Sequence, residues 1–192
     1  MDRWTALFAD LEAHLDAESE IDVHSAADEL RRAEIARIAL WQRFLGVKGS
    51  EVTLVTKGGV RFSGMVREAH PQWVLLTASG RDTIHPMTAI TAVTGLGGAV
   101  PEESVYGTSP AQRKAREVSL VRMLRGLGER RAYVTVTAGQ TTEQGYLVDV
   151  LADSLDLAVR STPSDTWSVE RRQFSTVTIP LAPVEAIVVD GV

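Results

Sequence analysis

The 192-residue chain contains no cysteine, which excludes a disulfide scaffold, a thiol nucleophile, an iron–sulfur cluster and a thiolate zinc site. A chain without thiols fits a reducing interior, and a cytoplasmic protein is expected. There is no apolar run of the about 18 residues that a membrane helix needs, and the opening stretch MDRWTALFADLEAHLD sets acids among its apolar residues. Neither a membrane span nor a signal peptide is expected. The four histidines, His14, His24, His70 and His85, share no ligand spacing, so no metal site is expected. His70 and His85 each precede a proline and read as turn residues. Gly95-Leu96-Gly97-Gly98 lacks the lysine and hydroxyl that follow in a phosphate-binding loop and reads as linker. No nucleophile, base and orienting group cluster in sequence, so the expectation is a protein without catalytic residues or cofactors, and not an enzyme. Lysine is scarce, with 3 against 17 arginines. That bias is expected of a GC-rich genome as readily as of a need for bidentate anion contacts.

At 44% hydrophobic and 23% charged residues, the composition is that of a globular protein of one large domain or two small ones. The formal net charge of -5 argues against generic polyanion binding, yet it averages over two unlike segments. Residues 1–30 hold nine acids against Arg3 alone. Between Arg113 and Arg131 lie seven basic residues against Glu117 and Glu129, a net of +5.

Trp4, Leu7, Phe8, Leu11 and Leu15 recur at helical spacing, with Asp10, Glu12 and Asp16 on other faces, and predict an acidic amphipathic helix within residues 1–24. Ser25 followed by Asp28 and Glu29 reads as the N-cap of a second helix ending near Gly46, with Ile35, Ile38, Trp41, Phe44 and Leu45 as its apolar stripe. The period then changes to two. Val52 and Leu54, Val60 and Phe62, and Val74 and Leu76 predict short antiparallel strands, with Lys57-Gly58-Gly59 as a hairpin turn. Gly64 falls within a strand, where glycine marks a bulge or a strong bend. Residues 97–109 have linker composition. Pro110 is expected to open a third, basic helix with Val118, Val121, Leu124 and Leu127 inside, closed by Gly126 and Gly128.

The chain repeats itself. The stretch from Val134 to Val148 matches that from Val52 to Val66 with a one-residue gap, pairing Gly145 with Gly64. Leu155 and Leu157 keep the phase of Val74 and Leu76, and Pro86 to Val93 matches Pro180 to Ile187 position by position. Arg43-Phe44-Leu45-Gly46 is echoed by Arg125-Gly126-Leu127-Gly128. The reading is mainly β with α: a tandem repeat of helix plus small five-stranded antiparallel barrel. The first copy occupies 25–96 and the second 110–192, with a long arm at 161–175 in the second.

A helix, then V-x-L-x(3)-G-x(4)-G-x-V, a paired-leucine strand and a one-turn connection into a last Val/Ile-rich strand resembles the order of elements in Sm-like proteins. The first repeat is similar in particular to the host-factor RNA chaperone branch, with Gly59 to Gly64 and Pro71-Gln72-Trp73-Val74-Leu75-Leu76 as counterparts of its motifs. That resemblance implies a five-stranded barrel and assigns Gln72 and Trp73 to an RNA-binding surface. Met87-Thr88 stand where the family carries a lysine–histidine pair, and Asp153-Ser154 stand at the glutamine–aromatic position of the second repeat. The whole chain also resembles a family of high-GC Gram-positive (actinobacterial) proteins, which implies no particular activity.

Two functions follow as expectations. In the first, the protein binds single-stranded RNA without catalysis. Trp73 would stack a base, Gln72 read its edge, Lys57 and Arg61 contribute from the adjacent turn, and Arg113, Lys114, Arg116, Arg122 and Arg125 hold phosphates. Arg171 and Arg172, between Trp167 and Phe174, join them in the arm. Each feature also reads structurally: Trp73 as an aromatic packed on the repeat's own helix, the basic helix as a solvated face or a surface paired with the acidic first helix, the arm as a plain hairpin. In the second function the tandem barrels form a rigid adaptor, and the helix of Trp4, Leu7, Phe8, Leu11 and Leu15 docks on a protein partner or a second copy. The long arm could cover an edge strand, so a monomer or low-order homo-oligomer is expected, not a hexameric ring.

Overall fold

A computed structural model describes residue 36 and residues 38–97, 118–160 and 174–190. The chain divides into two compact units, Met1–Ala39 and Leu40–Val192, and the architecture below is that of the second. It opens with helix α1, Leu40–Gly46, which buries Phe44 completely. Ile38 and Ala39 are not helical, so the helix expected to run unbroken from Ser25 to Gly46 is interrupted before Leu40.

Five strands follow: β1 Glu51–Thr56, β2 Arg61–Ala69, β3 Trp73–Ala78, β4 Arg81–Pro86 and, after a 3-10 turn at Met87–Ala89, β5 Ile90–Thr94. Strand β1 buries Val52, Leu54 and Thr56 in alternation, as a strand with one face on a core must. The β1–β2 hairpin turns at Gly59 (φ 80°) and the β3–β4 hairpin at Ser79 and Gly80 (φ 51° and 77°). Two successive positive φ values match the right-handed twist of the flanking strands. Helix α2, Leu120–Glu129, leads into β6 Tyr133–Ala138, β7 Thr141–Val150, β8 Ser154–Arg160, β9 Phe174–Pro180 and β10 Val184–Val189.

Pro110, expected to open the third helix, lies outside the described residues, and Val118 and Ser119 are not helical, so the helix is not continuous from there into Leu120. Ser119 has extended backbone angles and its hydroxyl accepts the Arg122 N–H, an N-cap that starts the helix at Leu120. Arg122 and Arg125 are therefore on this helix, whereas Arg113, Lys114 and Arg116 precede its cap and lie outside the described residues. The arm expected at 161–175 is likewise outside the description over 161–173, and its last two residues, Phe174 and Ser175, belong to β9.

All ten strands form one antiparallel sheet in the order β5-β1-β2-β3-β4-β10-β6-β7-β8-β9. The first five strands and the last five have the same internal order, with β10 placed in the second half as β5 is in the first. Two separately closed barrels are not what the pairing shows. Strand β4 bonds to β10 instead of closing on β5, so the sheet stays open, with β5 and β9 at its ends.

Gly64 and Gly145 hold matching places. A Cβ on Gly64 would stand 2.9 Å from the Thr77 carbonyl oxygen, and one on Gly145 only 2.5 Å from that of Ala158. Both allow a neighbouring backbone to come close, and each is followed by a register shift, between Val66 and Glu68 in β2 and between Leu147 and Asp149 in β7. The bulge expected at Gly64 thus falls just beyond it.

Two apolar cores result. One gathers Phe44, Val52, Leu54, Val66, Val74 and Leu76. The other gathers Leu120, Leu124, Val134, Val136, Leu147, Leu155, Leu157 and Ile187, and it also takes in Trp73 and Ile84 from the first half. Each fully buried aliphatic contributes roughly 1.5–3 kcal/mol, and a half of this size has too few to be comfortable alone. Sharing Trp73 and Ile84 across the β4–β10 seam joins the two cores' stability.

Candidate functional site

Gln72 and Trp73 lie at the start of β3, where the chain turns out of β2. Trp73 is only 5% exposed. Its indole N–H donates to the Val118 carbonyl at 2.9 Å, and one face is stacked on the His70 ring at a centroid distance of 4.2 Å. The Gln72 side-chain oxygen accepts the backbone N–H of Leu120, also at 2.9 Å. Leu120 opens α2, and its N–H is one of those a helix start leaves without an internal partner. The pair expected to read and stack a base instead anchors the second half's helix to the first half's sheet. Trp73 has no open face for a base, because an aromatic beside Leu120 and Ile84 removes more apolar surface from water than one facing solvent. His70 occupies the expected turn, but His85 does not: it lies within β4, completely buried.

The basic candidates among the described residues are dispersed. Lys57 and Arg61 are exposed on either side of the β1–β2 turn. Arg122 is exposed in the first turn of α2, and Arg125 donates from Nε to the Val150 carbonyl at 3.0 Å, which ties it to the end of β7. Arg171 and Arg172 fall outside the described residues, as do Trp4, Leu7, Phe8, Leu11 and Leu15.

A different feature stands out on the second half of the sheet. Tyr133, Tyr146, Val148 and Phe174 are exposed at 38, 44, 47 and 52%, on the face opposite to their buried neighbours Val134 and Leu147. Tyr133 and Tyr146 face each other across β6 and β7 with ring centroids 5.1 Å apart, edge to face, and Phe174 continues the row 6.5 Å from Tyr146. Beside them a groove of about 440 Å³ is lined by Arg131, Tyr146, Leu147, Val148, Ala158 and Phe174. Among the described residues its lining has no carboxylate. Arg160, paired with Phe174 across β8 and β9, is exposed at the same end.

The first half offers the control. Its matching cross-strand pair is Glu51 opposite Met65, and its outer face carries polar contacts, Thr53 with Ser63, and Thr77 with Arg67 and Asp82. Frame and register are shared, so the aromatic row is not required to build this sheet. Its sequence signal was readable: the outward phase set by Val134 and Leu147 puts Tyr133 and Tyr146 on the solvent side, where polar residues are the rule.

Under the seam lies a buried polar cluster. His85 Nδ1 meets the Glu185 carbonyl at 3.1 Å, so the neutral ring carries its proton on Nδ1, while Nε2 is buried with no hydrogen-bond partner. Burial pushes the imidazole pKa from 6.5 down to about 4, with the carbonyl contact opposing in part. The Glu185 side chain, itself 5% exposed, accepts the Gly58 N–H at 2.9 Å and so ties the β1–β2 turn to β10. Among the described residues no three His, Asp or Glu side chains gather as metal ligands, and no helix is long and apolar enough to cross a membrane. No protein-family model, curated protein or solved structure matches the chain.

Proposed function

We propose that the protein is a non-catalytic binder of single-stranded RNA with a tandem Sm-like architecture, and that its binding surface is the aromatic row of the second half. The repeated strand order of the two halves supports the architecture. The observation that carries the function is the row Tyr133, Tyr146 and Phe174, with Tyr146 in ring contact with both of the others, on an exposed sheet face beside Arg131. Apolar rings that serve no core are costly to expose unless something covers them. Bases present flat π-faces and each stacked base contributes about 1–3 kcal/mol, while arginines at the margins meet the phosphates.

The test is a mobility-shift titration with mixed-sequence single-stranded RNA at two salt concentrations. Affinity is expected to fall as salt rises, and Tyr146→Ala is expected to weaken it roughly 5- to 150-fold, the loss of one stacked base. Trp73→Phe leaves affinity unchanged because Trp73 is internal. Absence of binding at low salt, or indifference to Tyr146→Ala, rejects the reading. The net charge of -5 favours a second reading, a protein adaptor that uses the acidic segment of residues 1–24. Its sign is loss of a co-purifying protein partner when Leu7 and Leu11 are changed to Asp, with RNA binding absent.

A further inference from the structure

The two halves share strand order and pairing, so each place on the outer sheet face of one has a counterpart on the other. At the place of the aromatic-lined groove, the first half carries a chain of polar contacts. Arg67, at the register shift of β2, donates from Nε to the Thr77 hydroxyl at 3.4 Å, and Thr77 donates to its cross-strand partner Asp82. In the second half Val148 stands at the register shift of β7, and the cross-strand pair is Ala158 with Thr176. Arg67 and Thr77 thus give way to the smaller Val148 and Ala158, and both of these line the groove of about 440 Å³. The carboxylate of Asp82 is replaced by a hydroxyl.

What remains is chemically one-sided. Arg131 is the one charged residue of the described lining, beside two aromatic and three aliphatic residues, and among the described residues it is in no ion pair. Its backbone is also unusual. Arg131 follows the end of α2, where its N–H donates to the Gly128 carbonyl at 2.8 Å and the Ala132 N–H to that of Leu127 at 3.1 Å. The left-handed residue in that closing pattern is most often glycine. Arg131 has a φ of 50°, whereas its counterpart Gly49, three residues before Val52 as Arg131 is before Val134, has 84°. A long cationic side chain is kept where glycine would serve the turn, at a cost in backbone strain of the kind that collects at functional sites.

Resting on the reading of the aromatic row as an RNA-binding surface, we propose that the groove is a subsite for one guanine base and that Arg131 is its specificity-determining residue. The Tyr146 and Phe174 rings are inclined at 66° with centroids 6.5 Å apart, so they cannot sandwich a base. One base stacks on Tyr146 and turns an edge to Arg131. Guanine carries two adjacent acceptors, O6 and N7, which match two N–H groups of a guanidinium. Adenine and cytosine put an amino group on that edge, where the groove supplies a donor, and uracil offers O4 alone. Arg160, exposed and outside the lining, is left to meet a phosphate. The first half lacks the subsite, with Gly49 in place of the arginine and Arg67 and Thr77 in place of the space.

The test is fluorescence anisotropy of the full-length protein with oligoadenylates that carry one variable central nucleotide. Guanosine at that place is expected to bind at least about 5-fold tighter than adenosine, the lower end of what a bidentate arginine contact discriminates. Inosine, which keeps O6 and N7, should match guanosine, and 7-deazaguanosine, which lacks N7, should lose most of the gain. Arg131→Gly relieves the backbone and Arg131→Lys keeps the charge; both should abolish the preference, and Arg131→Lys should leave affinity for the all-adenosine strand unchanged. Equal affinity for guanosine and adenosine, with Tyr146→Ala still weakening both, overturns the guanine subsite and leaves the RNA-binding reading standing. A preference that survives both Arg131 variants, or that ignores the loss of N7, overturns the role of Arg131. Absence of binding to every strand at low salt overturns both readings.

Discussion

His85 is wholly buried at the seam between the halves, its ring 4.5 Å from that of Phe62 and its Nε2 without a partner. A histidine whose folded pKa is near 4 stays neutral in the native state while the unfolded chain takes up a proton below pH 6.5. As pH falls from 6.5 towards 4 the unfolded state binds more protons, so stability declines across that window, by on the order of 3 kcal/mol. Urea unfolding followed from pH 7 to pH 4 should show this decline, and in His85→Gln the slope should flatten. An unchanged slope in the variant would assign the acid sensitivity elsewhere. Gly145 makes a second residue-scale case, because Ala there would place its Cβ 2.5 Å from a backbone oxygen, and backbone cannot swing aside as a flexible side chain can. Gly145→Ala is expected to lose about 2–3 kcal/mol or more in chemical denaturation, and Gly64→Ala somewhat less, with its closest contact at 2.9 Å.

At the scale of elements, α2 is seated by two donors' partners and one carbonyl: Ser119 caps Arg122, Gln72 accepts from Leu120, and Trp73 donates to Val118. Ser119→Ala should lower stability by about 1 kcal/mol, and Gln72→Ala by about 1–3 kcal/mol because the Leu120 N–H loses its acceptor in a half-buried site. Neither substitution should change RNA affinity, which belongs to β6, β7 and β9 in the proposed reading. Tyr146→Ala should do the reverse, reducing affinity while leaving the unfolding free energy from urea titration within about 0.5 kcal/mol of wild type, as exposed positions do. Paired thermal and binding measurements on these variants separate the sites. The same elements show how far periodicity carries. Alternation placed Val52, Leu54, Val74 and Leu76 inside correctly, and all four are buried. The described helix starts at Leu120, because Ser119 supplies a hydroxyl where an N–H needs it.

For the whole molecule, the continuity of the sheet through β4 and β10 and the sharing of Trp73 and Ile84 with the second core make the halves interdependent. Unfolding is expected to be one transition, with tryptophan fluorescence and far-ultraviolet circular dichroism coinciding in urea. Two separated transitions would mean that the seam contributes little. Splitting the chain near the 97–109 segment should yield fragments less stable than their sum, since one fragment exposes Trp73 and the other leaves the start of α2 uncapped by Gln72.

Hydrophobic alternation, turn glycines and the repeat were properties of the sequence alone, because each depends on spacing between near neighbours. They determined a mainly β chain and the equivalence of Gly64 with Gly145. What Gln72 and Trp73 touch was not determined there. Each could have faced solvent or a helix 45 or more residues away, and only the tertiary packing, which removes the indole from water against Val118 and Leu120, decided it. The same holds for the sheet: each half's strands are encoded locally, but whether β4 closes on β5 or passes its edge to β10 depends on which contact buries more, and the shared core around Trp73 and Ile84 lies on the β10 side.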